Sequence, residues 1–249
     1  MLPYLSIGPL LLQTTGLALL LGVWFGSWFA EKEAARIKIK SDLVSNLIFI
    51  GLVSGLVGAR LTYAATYINA YLANPLSLFE INTHSLSPIG GLIFGTLAAF
   101  IYGQRQGLKL RPALDALAPG LAVFMIFLGL AHLLNGDAYG ATTRLPWAIL
   151  LAGDYRHPTQ VYEILLATGV MLIAVYYQLG QRGNGINFLW VVFLSAAARV
   201  FLEAFRGDSM ILLGGFRAAQ VIGLLVMAGS LILMRTWAQL PANAPESKI

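Results

Sequence analysis

About seven apolar stretches run through this chain, at roughly 7–30, 43–65, 86–104, 113–133, 158–179, 186–206 and 216–237, each near the ~20 residues a helix needs to cross a bilayer. Hydrocarbon offers no water to backbone N–H and C=O groups, so a single apolar segment satisfies them there only by coiling into an α-helix. The pattern predicts an all-α, polytopic membrane protein with about seven transmembrane helices. They are expected to form one domain over 1–238, followed by a short, disordered cytoplasmic tail at 239–249. Composition agrees, because only 11% of the residues are charged, where a soluble domain carries about 25%. No basic residue precedes the first stretch and its apolar run is long, so it reads as a retained helix, not a cleavable signal. The longer connection at 66–85 has room for a short helix.

Charge placement orients the chain. Lys32, Arg36, Lys38 and Lys40 follow the first stretch, Arg105, Lys109 and Arg111 the third, Arg182 the fifth, and Arg235 and Lys248 flank the end of the seventh. Basic loops stay in the cytoplasm, which predicts an N-out, C-in topology. The net charge of +5 is thereby accounted for by membrane orientation, with no nucleic-acid partner implied. With zero cysteines the chain has neither disulfides nor a thiol nucleophile of its own. No His/Asp/Glu grouping has metal-ligand spacing, and no cofactor is implied.

Under this topology the intramembrane polar residues fall at one depth, near the outer surface. Arg60 ends the second stretch, after Gly51, Gly55 and Gly58, which would let a neighbouring helix approach closely. His132, Asn135, Gly136 and Asp137 close the fourth. The fifth starts with the octapeptide Arg156-His157-Pro158-Thr159-Gln160-Val161-Tyr162-Glu163, where Pro158 suits a helix start and leaves Glu163 in the second turn. Arg199, Glu203 and Arg206 follow at i, i+4 and i+7 on the sixth, so Arg199 is expected to pair with Glu203. Taken singly, each has a structural reading: a helix cap, an interhelical ion-pair network, an arginine reaching the headgroups, a hydrogen-bonded interfacial histidine. Charges inside a membrane are costly and usually line a functional cavity. An arginine-rich, outward-facing polar cavity suits a lipid phosphate, which guanidinium groups bind in a bidentate manner.

These residues resemble the prolipoprotein diacylglyceryl transferase family, of which the chain reads as a divergent member. The resemblance is carried by Gly58-Ala59-Arg60, by Ser87 with Gly90-Gly91, by Asn135-Gly136-Asp137 with Gly140, and by Pro146-Trp147. It continues through the octapeptide, similar to the family's Arg-His-Pro-Ser-Gln-Leu-Tyr-Glu, and through Arg199, Glu203, Phe205, Arg206 and Gln220. It implies a multi-pass enzyme of the bacterial plasma (inner) membrane that moves diacylglyceryl from phosphatidylglycerol to the lipobox cysteine thiol of a prolipoprotein and releases glycerol phosphate. The partners implied are that lipid, the prolipoprotein signal peptide with its lipobox cysteine, and membrane lipids.

The chain departs from the family's usual residues at Thr15 (tyrosine), Ile89 (histidine), Gly129 (arginine), His132 (asparagine) and Asp137 (glutamate). His132 and Arg199 are therefore the expected catalytic residues, the first as proton acceptor and the second, steadied by Glu203, as stabiliser of the leaving phosphate. Arg60, Asn135, Asp137, Arg156, Gln160, Glu163, Glu203 and Arg206 are the expected substrate-binding residues. Two other readings stay open: a non-catalytic paralogue that binds phospholipid or lipopeptide, and a lipid or anion transporter, for which internal repeats and interrupted helices would be expected.

Overall fold

The computed structural model describes residues 4–7, 10–79, 85–151, 153–177, 179–212 and 214–239. Most of them are helical. Five helices are long and apolar enough to cross a membrane: α2 (Ser41–Thr66), α5 (Leu110–Asn135), α6 (Thr159–Tyr176), α7 (Ile186–Glu203) and α8 (Ala218–Gln239). Two further helices, α1 (Thr14–Arg36) and α4 (Pro88–Arg105), fill the first and third apolar stretches. The expected tail beyond Gln239 lies outside the described residues.

The architecture is helical as expected, with two short hairpins beside the helices. The first apolar stretch is not one helix from residue 7. Strands β1 (Tyr4–Ile7) and β2 (Leu10–Gln13) pair antiparallel, and the helix starts only at Thr14. The polar run Gln13-Thr14-Thr15 interrupts the apolar sequence there, and the short segments before it satisfy their backbone groups by pairing with each other. A second hairpin, β3 (Ile149–Leu151) with β4 (Asp154–Arg156), stands directly before α6.

The chain divides into two compact units, residues 39–110 and residues 1–38 with 111–249. In the smaller unit α2 packs on α4 through small residues: a Cβ added at Gly95 would lie 2.7 Å from the Gly51 carbonyl oxygen. The glycine stripe of α2 therefore does what its spacing predicts, letting two backbones meet. Ser87 caps α4, accepting from the Gly90 N–H at 3.3 Å with Pro88 just inside the helix. The connection after α2 holds a short helix, α3 (Ile68–Ala73), and a 3₁₀ turn, Pro75–Phe79.

In the larger unit Ala118 and Ala122 of α5, Val170 and Ala174 of α6 and Val191 of α7 form a buried core. Near the start of α5, buried Asp115 accepts three backbone N–H bonds, from Gly183 and Gly185 at 2.9 Å and from Phe188 at 3.0 Å. That carboxylate satisfies otherwise orphaned donors at the start of α7 and fixes how α7 leaves its loop.

Candidate active site

The octapeptide is where the larger unit ties its loops down. Arg156 ends β4, paired with Ile149 and bridged to Thr142. Pro158 caps α6, and the next two side chains reach back to the loop after α5. Thr159 Oγ1 donates to the Ala138 carbonyl at 2.6 Å, and Gln160 Nε2 to the Asp137 carbonyl at 2.7 Å. Gln160, expected to bind substrate, is fully buried, and its Oε1 has no hydrogen-bond partner among the described residues. The loop it holds includes Ala138 at φ +56°, left-handed backbone that a non-glycine residue seldom adopts.

The four expected arginines differ in what they have left to offer. Arg60, in the smaller unit, gathers its connecting loop, donating to the carbonyls of Leu78 at 2.9 Å, Ser85 at 3.2 Å and Ser77 at 2.5 Å. Arg156 donates to the Leu151 and Gly140 carbonyls at 3.1 and 3.3 Å and pairs with Asp154 at 3.2 Å. Arg206 was expected on the helical stripe of the sixth span, but α7 ends at Glu203. There i→i+3 bonds from the Ala204 and Phe205 N–H groups tighten the final turn. Arg206 therefore leaves the stripe, bridges to Gly140 through its backbone and forks onto Asp208 at 2.8 and 2.6 Å.

Arg199 is different. Its guanidinium lies 3.5 Å from Glu203, and it makes no hydrogen bond among the described residues. Its side chain is 39% exposed, whereas that of Glu203 is 2% exposed, with Oε2 lacking a hydrogen-bond partner among the described residues. This is the i, i+4 pair that the sequence predicts. An apolar cleft of about 290 Å³ opens between α5, α6 and α7, walled by Leu128, Val170 and Leu202 and bearing His132, Glu163 and Arg199. A second cleft of about 350 Å³, bounded by α5, α7 and α8, also reaches Arg199. Within the first, His132 Nδ1 lies 2.9 Å from Glu163 Oε2. The structure thus brings His132, Glu163 and Arg199 to one apolar cleft, with buried Glu203 paired to Arg199. A cationic group with unused donors beside a proton-accepting pair, in apolar surroundings, suits stabilisation of an anionic leaving group.

Exposed Asn135, the last residue of α5, hydrogen-bonds to exposed Asp137 in the loop that follows. Trp147 Nε1 donates to the Tyr162 hydroxyl at 2.7 Å, and the Tyr162 and His157 rings pack edge-on against Phe205. Sequence reasoning passed over Arg217. Its Nη1 donates to the Glu203 carbonyl, to the Arg206 carbonyl at 3.1 Å and to Ser209 Oγ at 3.1 Å. One signal could have found it: it is a basic residue at the start of the seventh apolar stretch, where a charge is costly unless it serves a purpose.

The sequence model described as Prolipoprotein diacylglyceryl transferase matches residues 3–236. A Phosphatidylglycerol--prolipoprotein diacylglyceryl transferase of Clostridioides difficile is 31% identical over 173 residues, 70% of this chain and 69% of the relative. One from Agrobacterium fabrum is 29% identical over 195 residues, 74% of this chain and 69% of that relative. A third, from Wolinella succinogenes, is 31% identical over 175 residues, 66% of this chain and 64% of its own length.

Proposed function

This chain belongs to the prolipoprotein diacylglyceryl transferase family, and from that premise we propose that it transfers diacylglyceryl from phosphatidylglycerol to the lipobox cysteine thiol of a bacterial prolipoprotein. The observation that carries this reading is Arg199, paired among the described residues only with Glu203 and standing at the polar edge of an apolar cleft. The acyl part of a phospholipid suits the apolar walls, and its phosphate suits the guanidinium. The phosphodiester carries one negative charge, and the departing glycerol phosphate gains a second. A positive group held at that oxygen lowers the barrier most where charge builds. Glu203 holds Arg199 in place without using its hydrogen-bonding capacity, and the carbonyl-bound Arg156, Arg60 and Gln160 serve as loop clamps. The exposed Asn135–Asp137 pair, and Arg206 held by Asp208, are assigned to the substrate's headgroup or backbone.

The same proposal covers placement. With α1 and α4 added to the five apolar helices, the chain has seven spans in the bacterial plasma membrane, N-out and C-in, with 1–238 as the transferase domain. The cleft then faces outward, where a lipobox cysteine arrives. The test is direct. Purified protein is mixed with phosphatidylglycerol vesicles and a lipobox peptide, and mass spectrometry follows the thioether adduct and released glycerol phosphate. Product formation, lost in Arg199→Gln, is the expected result. Well-inserted protein that binds the lipid but forms no adduct, and fails to sustain a host depleted of its own transferase, supports the non-catalytic paralogue instead.

A further inference from the structure

The geometry points to Glu163 as a positioning residue that fixes the tautomer of His132, so that His132 Nε2 is the atom that takes the substrate thiol's proton; this rests on the transferase reading above. An ionised carboxylate only accepts hydrogen bonds, so the 2.9 Å contact from Nδ1 to Glu163 Oε2 puts the proton of a neutral imidazole on Nδ1. Nε2 is left as the acceptor, and no protein group hydrogen-bonds to it among the described residues. The same division of labour orients imidazole bases in hydrolytic sites, where the buried acid holds the ring and does not take the proton.

The contact depends on how closely two helices meet. Gly129 stands one turn before His132 on the same face of α5. A Cβ there would lie 2.9 Å from Ile164 Cγ1 and 3.4 Å from Glu163 Cγ, so α5 and α6 are in van der Waals contact where the pair forms. The charged groups facing the imidazole are Glu163 from α6 and, across the cleft, Arg199 from α7 with its partner Glu203. Acid and base therefore occupy one side of the cleft and the cation the other.

The thiol proton moves to His132 Nε2, and the sulfur lone pair forms a bond to the glyceryl carbon. The carbon–oxygen bond to phosphate breaks, and its electron pair leaves with glycerol phosphate beside Arg199. The imidazolium then returns its proton to the departing phosphate or to water, while Glu163 remains ionised throughout.

Full-length protein in phosphatidylglycerol nanodiscs, with its three histidines labelled with ¹⁵N in the ring, gives a readout independent of turnover. The His132 signals, assigned by their loss in His132→Asn, are expected to show one Nδ1–H tautomer in wild type and a mixture in Glu163→Gln, whose amide can donate or accept. With a lipobox peptide, Glu163→Gln is expected to lower kcat about 100-fold while KM for lipid and peptide stays within about twofold. Glu163→Asp recovers part of the loss, and adding Glu163→Gln to His132→Asn lowers the rate no further. An unchanged tautomer in Glu163→Gln, or an equal loss of rate in the His132→Asn background, overturns the inference. Wild type that forms product with a mixed tautomer sinks the inference alone. A clean Nδ1–H tautomer without product sinks the transferase reading and with it the proton-acceptor role, leaving Glu163 as the group that sets the ring.

Discussion

Arg217, the residue before α8, donates its guanidinium to the main-chain carbonyl of Glu203, the last residue of α7. The Glu203 carboxylate meanwhile lies 3.5 Å from Arg199. One arginine thus anchors the backbone of the residue that holds another. A cation at a helix C-terminus also favours the negative end of the helix dipole and meets carbonyls that have no intrahelical donor.

Arg217→Gln should therefore disturb both stability and catalysis. It removes three hydrogen bonds from a charged donor, two of them to carbonyls. A loss on the order of 2 kcal/mol is expected, together with a lower kcat as Glu203 shifts. Thermal unfolding in detergent and the transfer assay measure the two effects separately. Full activity in a destabilised protein would show that the anchor does not reach Arg199.

Glu203→Gln keeps the volume of a buried side chain but removes its charge. Arg199 then loses its partner, and a drop in kcat of about tenfold or more is expected, with phosphatidylglycerol binding less affected. Glu203→Leu should unfold more readily than Glu203→Gln, because it replaces the polar group in full. Steady-state kinetics beside melting curves will separate the charge effect from the packing effect.

Asp115→Ala tests structure apart from chemistry. Three backbone N–H groups lose a charged acceptor at a buried residue, which costs about 3 kcal/mol or more. The protein that remains folded should keep its kcat, since Asp115 caps the α7 loop and lines no part of the Arg199 clefts. A selective fall in kcat at unchanged melting temperature would contradict that assignment.

Ala138 is held at φ +56° by Thr159 and Gln160. A β-branched residue is a steric outlier in left-handed backbone, so Ala138→Val is expected to lower stability by roughly 2 kcal/mol and to loosen the loop that follows α5. Ala138→Gly accommodates the same φ without strain and should stay within about 1 kcal/mol of wild type. The order of the two melting temperatures is the measurement.

Much of the architecture was legible in the residues, for local reasons. The glycine stripe of α2, the helix start after Pro158, and the Arg199–Glu203 spacing all follow from periods of a few residues. The misread elements are also local in origin: a Gln-Thr-Thr interruption divides the first apolar stretch, and a 3₁₀ closure stops α7 before Arg206. Neither leaves a strong mark on hydropathy, because the flanking residues stay apolar and helical periodicity continues past the true end.

The sequence by itself determined that the chain is a helical membrane protein, where its polar residues concentrate, and which arginine and glutamate face each other along α7. Only the tertiary structure decided which of those polar groups remain available. Arg60, Arg156 and Arg206 are bound by carbonyls or an aspartate brought in by loops, Gln160 is buried against a turn, and His132 meets a glutamate 31 residues away. The physical reason is the range of the interactions. Helix spacing is written in the backbone's own geometry, whereas a guanidinium is committed or left open by whichever carbonyl the fold carries within about 3 Å of it.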